Sequence, residues 1–235
     1  MCGRFVITQP SDAMAQLFDA QPDNDLPYVP NYNVCPTNQI HVVSKSEGGA
    51  RRLTQMRWGF LPAWYKTTNA GPPLINARSE TIAQKPAFRE AVRARRALVA
   101  VTGFYEWTKT PEGQRNPWYI TRADGAALVM AAVWQDWISP EGDVLRSCAL
   151  VTTGANAPMS TIHHRMPVIL QQKDWPLWLG EAGHGAAVLM RAAPDDTLRM
   201  HRVKRDVNSN RASGAALIHE LIDDDDVAAQ AMVGR

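Results

Sequence analysis

The sequence predicts an α+β fold: a single compact domain built around a mostly antiparallel, barrel-like sheet with helices at its periphery. A chain of 235 residues fits one large domain and can bury a sizeable core. No internal repeat, low-complexity segment or Gly/Ser linker divides it. Strand-like runs follow one another without regularly spaced helices, which argues against a doubly wound parallel sheet.

The predicted helices are few and short. The first covers Asp12–Phe18, with Ser11 as its N-cap residue. Pro86 suits the first turn of a second helix, Pro86–Arg95. Three more helical stretches are expected at Ala157–Ile162, Lys173–Leu179 and Gly214–Leu221.

Eight short runs rich in β-branched and apolar residues predict the strands. They are Ile40–Ser44, Ala97–Thr102, Trp118–Arg122, Ala127–Trp134, Cys148–Thr153, Val168–Leu170, Ala187–Met190 and Arg199–Val203. Residues Thr54–Arg78 show little periodicity, and an irregular stretch of this length is usually functional or disordered. Its aromatic pair, Trp64 and Tyr65, either stacks on unpaired bases or packs in a small hydrophobic cluster under a loop.

Composition excludes several classes of protein. With 45% hydrophobic and 20% charged residues, the chain is not disordered. It has no run of about 18 apolar residues and no basic start followed by an apolar stretch, so we expect a soluble, cytoplasmic protein without a membrane partner. Three cysteines without a CxxC pair, and no His/Cys/Glu group at metal spacing, predict neither a metal nor another cofactor. Cys148 lies in an apolar run and is expected in the core, whereas Cys35 is ambiguous.

The net charge of +2 does not indicate a nucleic-acid partner, but its distribution is uneven. The segment Arg89–Arg96 holds four arginines, which fit either a solvated helix face or a basic surface. The run Asp223–Asp226 is acidic. We expect a folded domain over residues 1–222 and a flexible acidic tail over residues 223–235.

Cys2 is the first candidate for chemistry. Removal of Met1 would leave a 1,2-aminothiol whose amine and thiol have reference pKa values of about 8 and about 8.5, so both groups are partly nucleophilic near neutrality. The amine condenses with an aldehyde to an imine, and the thiolate closes on the imine carbon to form a five-membered thiazolidine. A cysteine at this position is, by itself, also compatible with no function at all.

Three polar residues lie within apolar or aromatic segments. Glu106, in GFYEW, suits proton transfer because desolvation disfavours its charged form, although a salt bridge with an arginine explains it equally well. His163, in STIHHRMPVIL, is either a general acid–base group or a structural histidine. Asn76, in PPLINARSE, is either a site residue or a turn or cap residue.

Six boxes, taken together and in order, resemble the SRAP family, the SOS response-associated peptidases, understood as abasic-site processing proteins. They are MCGRF, NYNVCP, RWGFLPAW, LINARSET, GFYEW and IHHRMPVIL, and the resemblance spans about residues 1–210. It implies a compact α+β domain around a curved antiparallel sheet with a positively charged DNA channel. It further implies binding of single-stranded DNA and capture of the abasic-site aldehyde as a thiazolidine on Cys2, with no cofactor and no obligate protein partner.

The resemblance assigns roles to the catalytic candidates one by one. Cys2 becomes the covalent residue, and Asn76 helps to position it and the sugar. Glu106 moves protons during ring opening and imine chemistry, and His163 assists imine formation. Removal of Met1, by an aminopeptidase or by the domain itself, would account for the peptidase label.

The same resemblance implies a DNA-binding set. Arg4, Asn33 and Arg78 match positions that contact the phosphodiester backbone or fix the pocket. Arg165 matches the arginine two residues after the box histidine. Trp64 and Tyr65 match a loop that wedges against bases.

The sequence departs from the SRAP family pattern at two positions, and three other functions are compatible with it. His164 stands where the family commonly has Asp, and Cys35 stands where a small residue is usual. Class II glutamine amidotransferases also begin Met-Cys-Gly, so an N-terminal-cysteine amidohydrolase is one alternative. A protease that uses Cys2, Glu106 and His163 is another, and a non-catalytic single-strand binder is the third.

Overall fold

The computed structural model of the chain describes residues 2–23 and 25–221. The acidic tail expected at residues 223–235 lies outside the described residues. Within them, no helix is both long and apolar enough to cross a membrane.

Strands make up most of the regular secondary structure among the described residues. They are β1 (Phe5–Ile7), β2 (Ala20–Pro22), β3 (Asn31–Val34), β4 (Gln39–Lys45), β5 (Arg51–Trp58), β6 (Asn76–Arg78), β7 (Arg96–Val101), β8 (Gly103–Lys109), β9 (Arg115–Arg122), β10 (Leu128–Ile138), β11 (Val144–Gly154), β12 (Arg165–Pro167) and β13 (Leu198–Arg202). The α-helices are α1 (Ser11–Phe18), α2 (Arg89–Ala94), α3 (Ala157–Ser160) and α4 (Trp175–Leu179). Short 3₁₀ helices cover Gln172–Asp174, Ala186–Leu189, Asp195–Thr197, Arg205–Asn208 and Ala215–Ile218.

Five strands close into a small barrel. The order β5-β4-β7-β10-β11 is antiparallel throughout, and a parallel pairing of β11 with β5, at Ser147 opposite Arg57 and Cys148 opposite Trp58, completes the ring. Closure leaves these strands without an open edge. Further along β11, β6 pairs in parallel and β12 antiparallel, so the sheet extends beyond the barrel at the end where β11 finishes.

A second, fully antiparallel sheet has the order β13-β9-β8-β1-β3. The Phe5 ring of β1 packs against Trp58 of the barrel, with ring centroids 4.4 Å apart, and both side chains are fully buried. Removing a buried aromatic of this kind costs about 3–5 kcal/mol. This contact ties the strand that follows Cys2 to the core.

The prediction of an α+β fold with a mostly antiparallel, barrel-like sheet is confirmed. Of the two longest strands, β11 contains the predicted run Cys148–Thr153, and β10 contains all of Ala127–Trp134 except Ala127; Cys148 is fully buried in the core as expected. Their apolar segments are the most regular in the chain, which is why periodicity identified them.

Several local predictions are wrong. Ala187–Met190 is not a strand, because Ala186 and Leu189 are buried three residues apart on a 3₁₀ helix. The strand predicted at Val168–Leu170 lies three residues earlier, as β12, which pairs with β11. Within Val168–Leu170, Ile169 forms an isolated bridge. The irregular stretch begins later than predicted, since Thr54–Trp58 belongs to β5.

The helix boundaries also differ from the predicted ones. Pro10, not Ser11, is the N-cap residue of α1, and the Ser11 hydroxyl lies 3.1 Å from His41 Nε2 instead. The second helix is limited to Arg89–Ala94, and the predicted helix at Gly214–Leu221 is a single 3₁₀ turn. Short elements such as these are set by tertiary contacts more than by local propensity.

Candidate active site

Cys2 and Glu106 lie together where β1 meets β8. Phe5 pairs with Phe104, and the Tyr105 N–H donates to the Arg4 carbonyl at 2.9 Å, which continues the pairing toward the N-terminus. Cys2 is 1% exposed and Glu106 is 3% exposed. Burial, and next the charge of Glu106, raise the pKa of the Cys2 thiol. The charge of Glu106 therefore acts on the Cys2 thiol.

Asn76 approaches the same point from the barrel. It is the first residue of β6 and lies opposite Leu150 of β11. Its Nδ2 donates to the Cys2 carbonyl oxygen at 2.8 Å. The amide therefore fixes the main chain of Cys2, and Asn76 is neither a turn nor a cap residue in this structure.

The Glu106 carboxyl is well placed to exchange protons. Burial, the largest cause, raises its pKa above the ordinary value of 4.5. The protonated, donating form therefore persists closer to neutral pH than in an exposed glutamate.

The Arg165 backbone holds the His163 ring. In one tautomer the Nδ1 accepts the Arg165 backbone N–H at 3.0 Å, and in the other it donates to the Arg165 carbonyl oxygen at 3.3 Å. Burial, the largest cause, lowers the pKa of His163, which favours the neutral ring near pH 7, while the hydrogen bond with the Arg165 backbone acts in the opposite direction. The His164 ring stacks on it with centroids 4.4 Å apart.

Arg4, two residues after Cys2, is partly buried and bonds to the buried Asn33. Arg4 Nη1 donates to Asn33 Oδ1 at 2.6 Å and to the Val207 carbonyl at 3.0 Å. Asn33 Nδ2 donates to the carbonyls of Ser209 and Ala212 at 3.1 and 2.6 Å. Asn33 is only 7% exposed, so its contacts tie β3 to the segment after β13 and suit the fixing of the pocket.

The two arginines predicted to bind DNA have different surroundings. Arg78, at the end of β6, is exposed. Arg165 is buried, and its Nη1 donates to Glu80 Oε1 at 2.6 Å while its Nη2 donates to the Thr152 carbonyl at 2.6 Å. Arg78 is therefore available to a phosphate directly, whereas Arg165 already has an anionic partner.

The aromatic pair lies in the segment between β5 and β6. Trp64 is 59% exposed, and its ring meets Tyr65 edge-on at 6.4 Å. The Tyr65 carbonyl accepts from Trp137 Nε1 at 2.7 Å, and a Cβ at Gly71 would collide with the tyrosine ring. Tyr65 is thus anchored within its loop, and Trp64 presents a free aromatic surface.

Two neighbours of the site, Glu80 and Trp107, were not predicted from the sequence. Glu80, which pairs with Arg165, lies inside the LINARSET box but drew no prediction of its own. Trp107 packs between the guanidinium groups of Arg4, at 5.9 Å, and Arg115, at 4.7 Å. Sequence spacing does not reveal the contact of Arg165 with Glu80 or that of Arg4 with Trp107, because these partners are far apart in the chain.

Cys35 is half-buried, and burial raises the pKa of its thiol. Its Sγ donates to the Asn33 carbonyl at 3.3 Å.

Relatives with the same architecture are known. A solved structure from Bacteroides thetaiotaomicron has a TM-score of 0.82 at 23% identity, covering 94% of this chain and 100% of that one. A protein from Bordetella bronchiseptica has a TM-score of 0.74 at 25% identity, covering 86% of this chain and all of that one. These two similarities show the fold.

Curated relatives cover nearly the whole chain. Abasic site processing protein YoqW of Bacillus subtilis is 33% identical over 224 residues, 93% of this chain and 99% of its own. Abasic site processing protein YedK of Escherichia coli is 31% identical over 229 residues, 94% of this chain and 100% of its own. Abasic site processing protein HMCES of Pongo abelii is 29% identical over 261 residues, 90% of this chain and 73% of its own.

The family model described as SOS response associated peptidase matches residues 1–210. With this match and relatives above 30% identity along almost their full length, the chain belongs to the SOS response associated peptidase (SRAP) family.

Proposed function

We propose that this protein processes abasic sites in single-stranded DNA by forming a thiazolidine between Cys2 and the aldehyde of the opened sugar. The relatives named above carry the name abasic site processing protein. The observation that carries the proposal is the convergence on Cys2 of the Asn76 amide and the buried Glu106 carboxyl.

The state of the Cys2 thiol favours attack by the amine before the thiol. A cysteine protease or amidohydrolase needs a thiolate, and its surroundings therefore lower the thiol pKa. Here burial and the charge of Glu106 both raise the pKa of the Cys2 thiol. In our proposal the α-amine of Cys2, released when Met1 leaves, makes the first bond and the thiol closes the ring afterwards.

Glu106 opens the sugar in this scheme. Its carboxyl group protonates the ring oxygen while the C1′ hydroxyl loses its proton, and the products are the free aldehyde and a C4′ hydroxyl. The raised pKa of Glu106 keeps the donating form available.

His163 assists the next step. The Cys2 amine adds to the aldehyde carbon to give a carbinolamine, which loses its hydroxyl as water to form the imine. In the tautomer whose Nδ1 accepts the Arg165 backbone N–H, the Nε2–H of neutral His163 donates to that departing hydroxyl. The thiol then adds across the C=N bond, so that one water is released overall and no oxidant or reductant is needed.

DNA binding is assigned to the surface around this pocket. Exposed Arg78 contacts a phosphate next to the lesion, which makes binding salt-dependent. Exposed Trp64 stacks on an unpaired base. Arg4 and Asn33 help to fix the pocket.

The test uses single-stranded DNA with one abasic site and protein whose terminal residue is verified by intact-mass measurement. We expect a covalent band on a denaturing gel that disappears in Cys2→Ala. If protein with Cys2 at its terminus gives no band, the proposal is wrong. Glutaminase activity without a band supports an amidohydrolase, and peptide cleavage without a band supports a protease.

The same mass measurement tests how Met1 is removed. If the domain removes Met1 itself, purified protein that still carries Met1 loses it on incubation, and Cys2→Ala retains it. Loss that requires an added aminopeptidase assigns this step to another enzyme.

A further inference from the structure

The turn after β6 carries a carboxylate that the proposed mechanism does not use. β6 brings Asn76 to Cys2 and ends at exposed Arg78, and Glu80 follows two residues later. Glu80 Oε1 accepts from Arg165 Nη1 at 2.6 Å. The Glu80 side chain is 50% exposed and the Arg165 side chain 11%, so a half-exposed carboxylate pairs with a largely buried guanidinium.

The guanidinium is fixed on its inner side by Thr152. Arg165 Nη2 donates to the Thr152 carbonyl at 2.6 Å and to its hydroxyl at 3.2 Å. The same carbonyl accepts the Ser79 N–H at 2.8 Å, which anchors the turn that carries Glu80. The Arg165 contacts with Thr152 lie inside the protein, whereas its contact with Glu80 involves an exposed side chain that can rotate away.

Carboxylate and phosphate are interchangeable partners for such a group. A guanidinium presents its N–H donors in a planar fork that fits the oxygens of either anion. Glu80 is exposed, as is Arg78 two residues before it, and both follow Asn76, whose amide binds the Cys2 carbonyl.

We propose that Glu80 is a placeholder for a DNA phosphate: it pairs with Arg165 in the free protein and is displaced when the strand binds. This inference rests on the proposed function, because it requires DNA to pass over Arg78 toward Cys2. Glu80 keeps Arg165 oriented without DNA and weakens binding to every strand.

The exchange has a signature in the salt dependence. A phosphate neutralised by a cationic side chain releases its condensed counterion, and each such contact on a single strand contributes about −0.7 to the slope of log K against log salt. A displaced Glu80 returns an unpaired carboxylate to solvent, where its weak association with salt cations offsets part of the release due to the Arg165 contact. In Glu80→Gln this offset is absent.

The experiment measures binding of the full chain to an undamaged oligo-dT strand by fluorescence anisotropy over a salt series. We expect Glu80→Gln to bind about two- to fivefold more tightly at low salt, the range for a partly exposed ion pair. The slope of Glu80→Gln should be steeper than that of the wild type, by at most about 0.7. Glu181→Gln is the matched control, because Glu181 also pairs with an arginine, Arg51, at 2.7 Å. Arg51 begins β5, whereas Trp58, which packs near the site, ends it.

A double-mutant cycle connects the effect to Arg165. In an Arg165→Gln background, Glu80→Gln should no longer strengthen binding. Arg165 is buried and its loss can destabilise β12, so thermal unfolding is measured for each variant. If Arg165→Gln does not fold, the salt slope of Glu80→Gln alone decides.

An unchanged slope in Glu80→Gln, or an equal gain in Glu181→Gln, overturns the placeholder role while the crosslinking function stands. A wild-type protein that binds no single strand overturns both.

Discussion

Replacing Glu106 by Gln should slow crosslinking and, at the same time, make the Cys2 thiol more acidic. Gln keeps the size of the side chain and one carbonyl acceptor, but it neither ionises nor donates a proton in the manner of a carboxylic acid. A positioned general acid–base group contributes about 10²- to 10⁴-fold to a rate, which is about 2.7–5.4 kcal/mol at 1.36 kcal/mol per factor of ten. We therefore expect crosslinking to slow by at least about a hundredfold.

Glu106→Gln should lower the pKa of the Cys2 thiol, because the charge of Glu106 raises that pKa in the wild type. With that charge removed, the thiolate fraction at a given pH increases. Alkylation of Cys2 by iodoacetamide, followed by mass spectrometry, should be faster in Glu106→Gln than in the wild type. A variant that is merely misfolded would also lose DNA binding, so affinity for an undamaged strand is the control.

The pH profile gives a second readout. The wild-type crosslinking rate should fall at low pH because the amine is protonated, and at high pH because Glu106 loses its proton. The raised pKa of Glu106 shifts the high-pH decline to higher pH. Glu106→Gln should lack the high-pH limb. Equal loss of crosslinking and of binding, or unchanged alkylation of Cys2, would refute this account of Glu106.

Three further predictions each concern one residue: Asn76, Arg78 or His41. Asn76→Ala removes the 2.8 Å bond to the Cys2 carbonyl, and a hydrogen bond of about 1 kcal/mol corresponds to roughly fivefold slower crosslinking, measured by single-turnover gel assay. Arg78→Gln should weaken binding to an undamaged strand and flatten its salt slope by about 0.7, measured by anisotropy. Burial lowers the pKa of His41 from 6.5 to about 4, so the unfolded chain takes up a proton between these values and the folded protein does not. Stability should therefore be lost as pH falls from 6.5 to 4, by up to about 3 kcal/mol, and denaturant unfolding of wild type and His41→Gln at each pH isolates this contribution.

Each of these predictions has an outcome that contradicts it. Asn76→Ala should retain its affinity for undamaged DNA, and a parallel loss would mean that Asn76 is needed for the fold. An Arg78→Gln slope equal to that of the wild type would remove Arg78 from the phosphate contacts. If His41→Gln loses stability between pH 6.5 and 4 as steeply as the wild type, another group is responsible.

The sequence by itself determined the fold class and the family. Long apolar runs such as Cys148–Thr153 are fully buried in the barrel, and a run of that kind is visible in the sequence without its partners. The six boxes led to the SRAP family because short motifs in a fixed order are a property of the linear chain. The same reasoning failed for Ala187–Met190, since a four-residue apolar run does not distinguish a strand from a 3₁₀ helix.

Only the tertiary structure decided which polar groups share an environment. Cys2 and Glu106 are far apart in sequence, and the β1–β8 register brings them together; Asn76 reaches them because β6 lies on β11. Arg4 and Arg165 are both arginines in family boxes, yet one is tied to Asn33 and the other is paired with Glu80. Burial and neighbouring charge set the pKa values and the availability of these groups, and both depend on residues distant in sequence, which is why residue type alone did not reveal them.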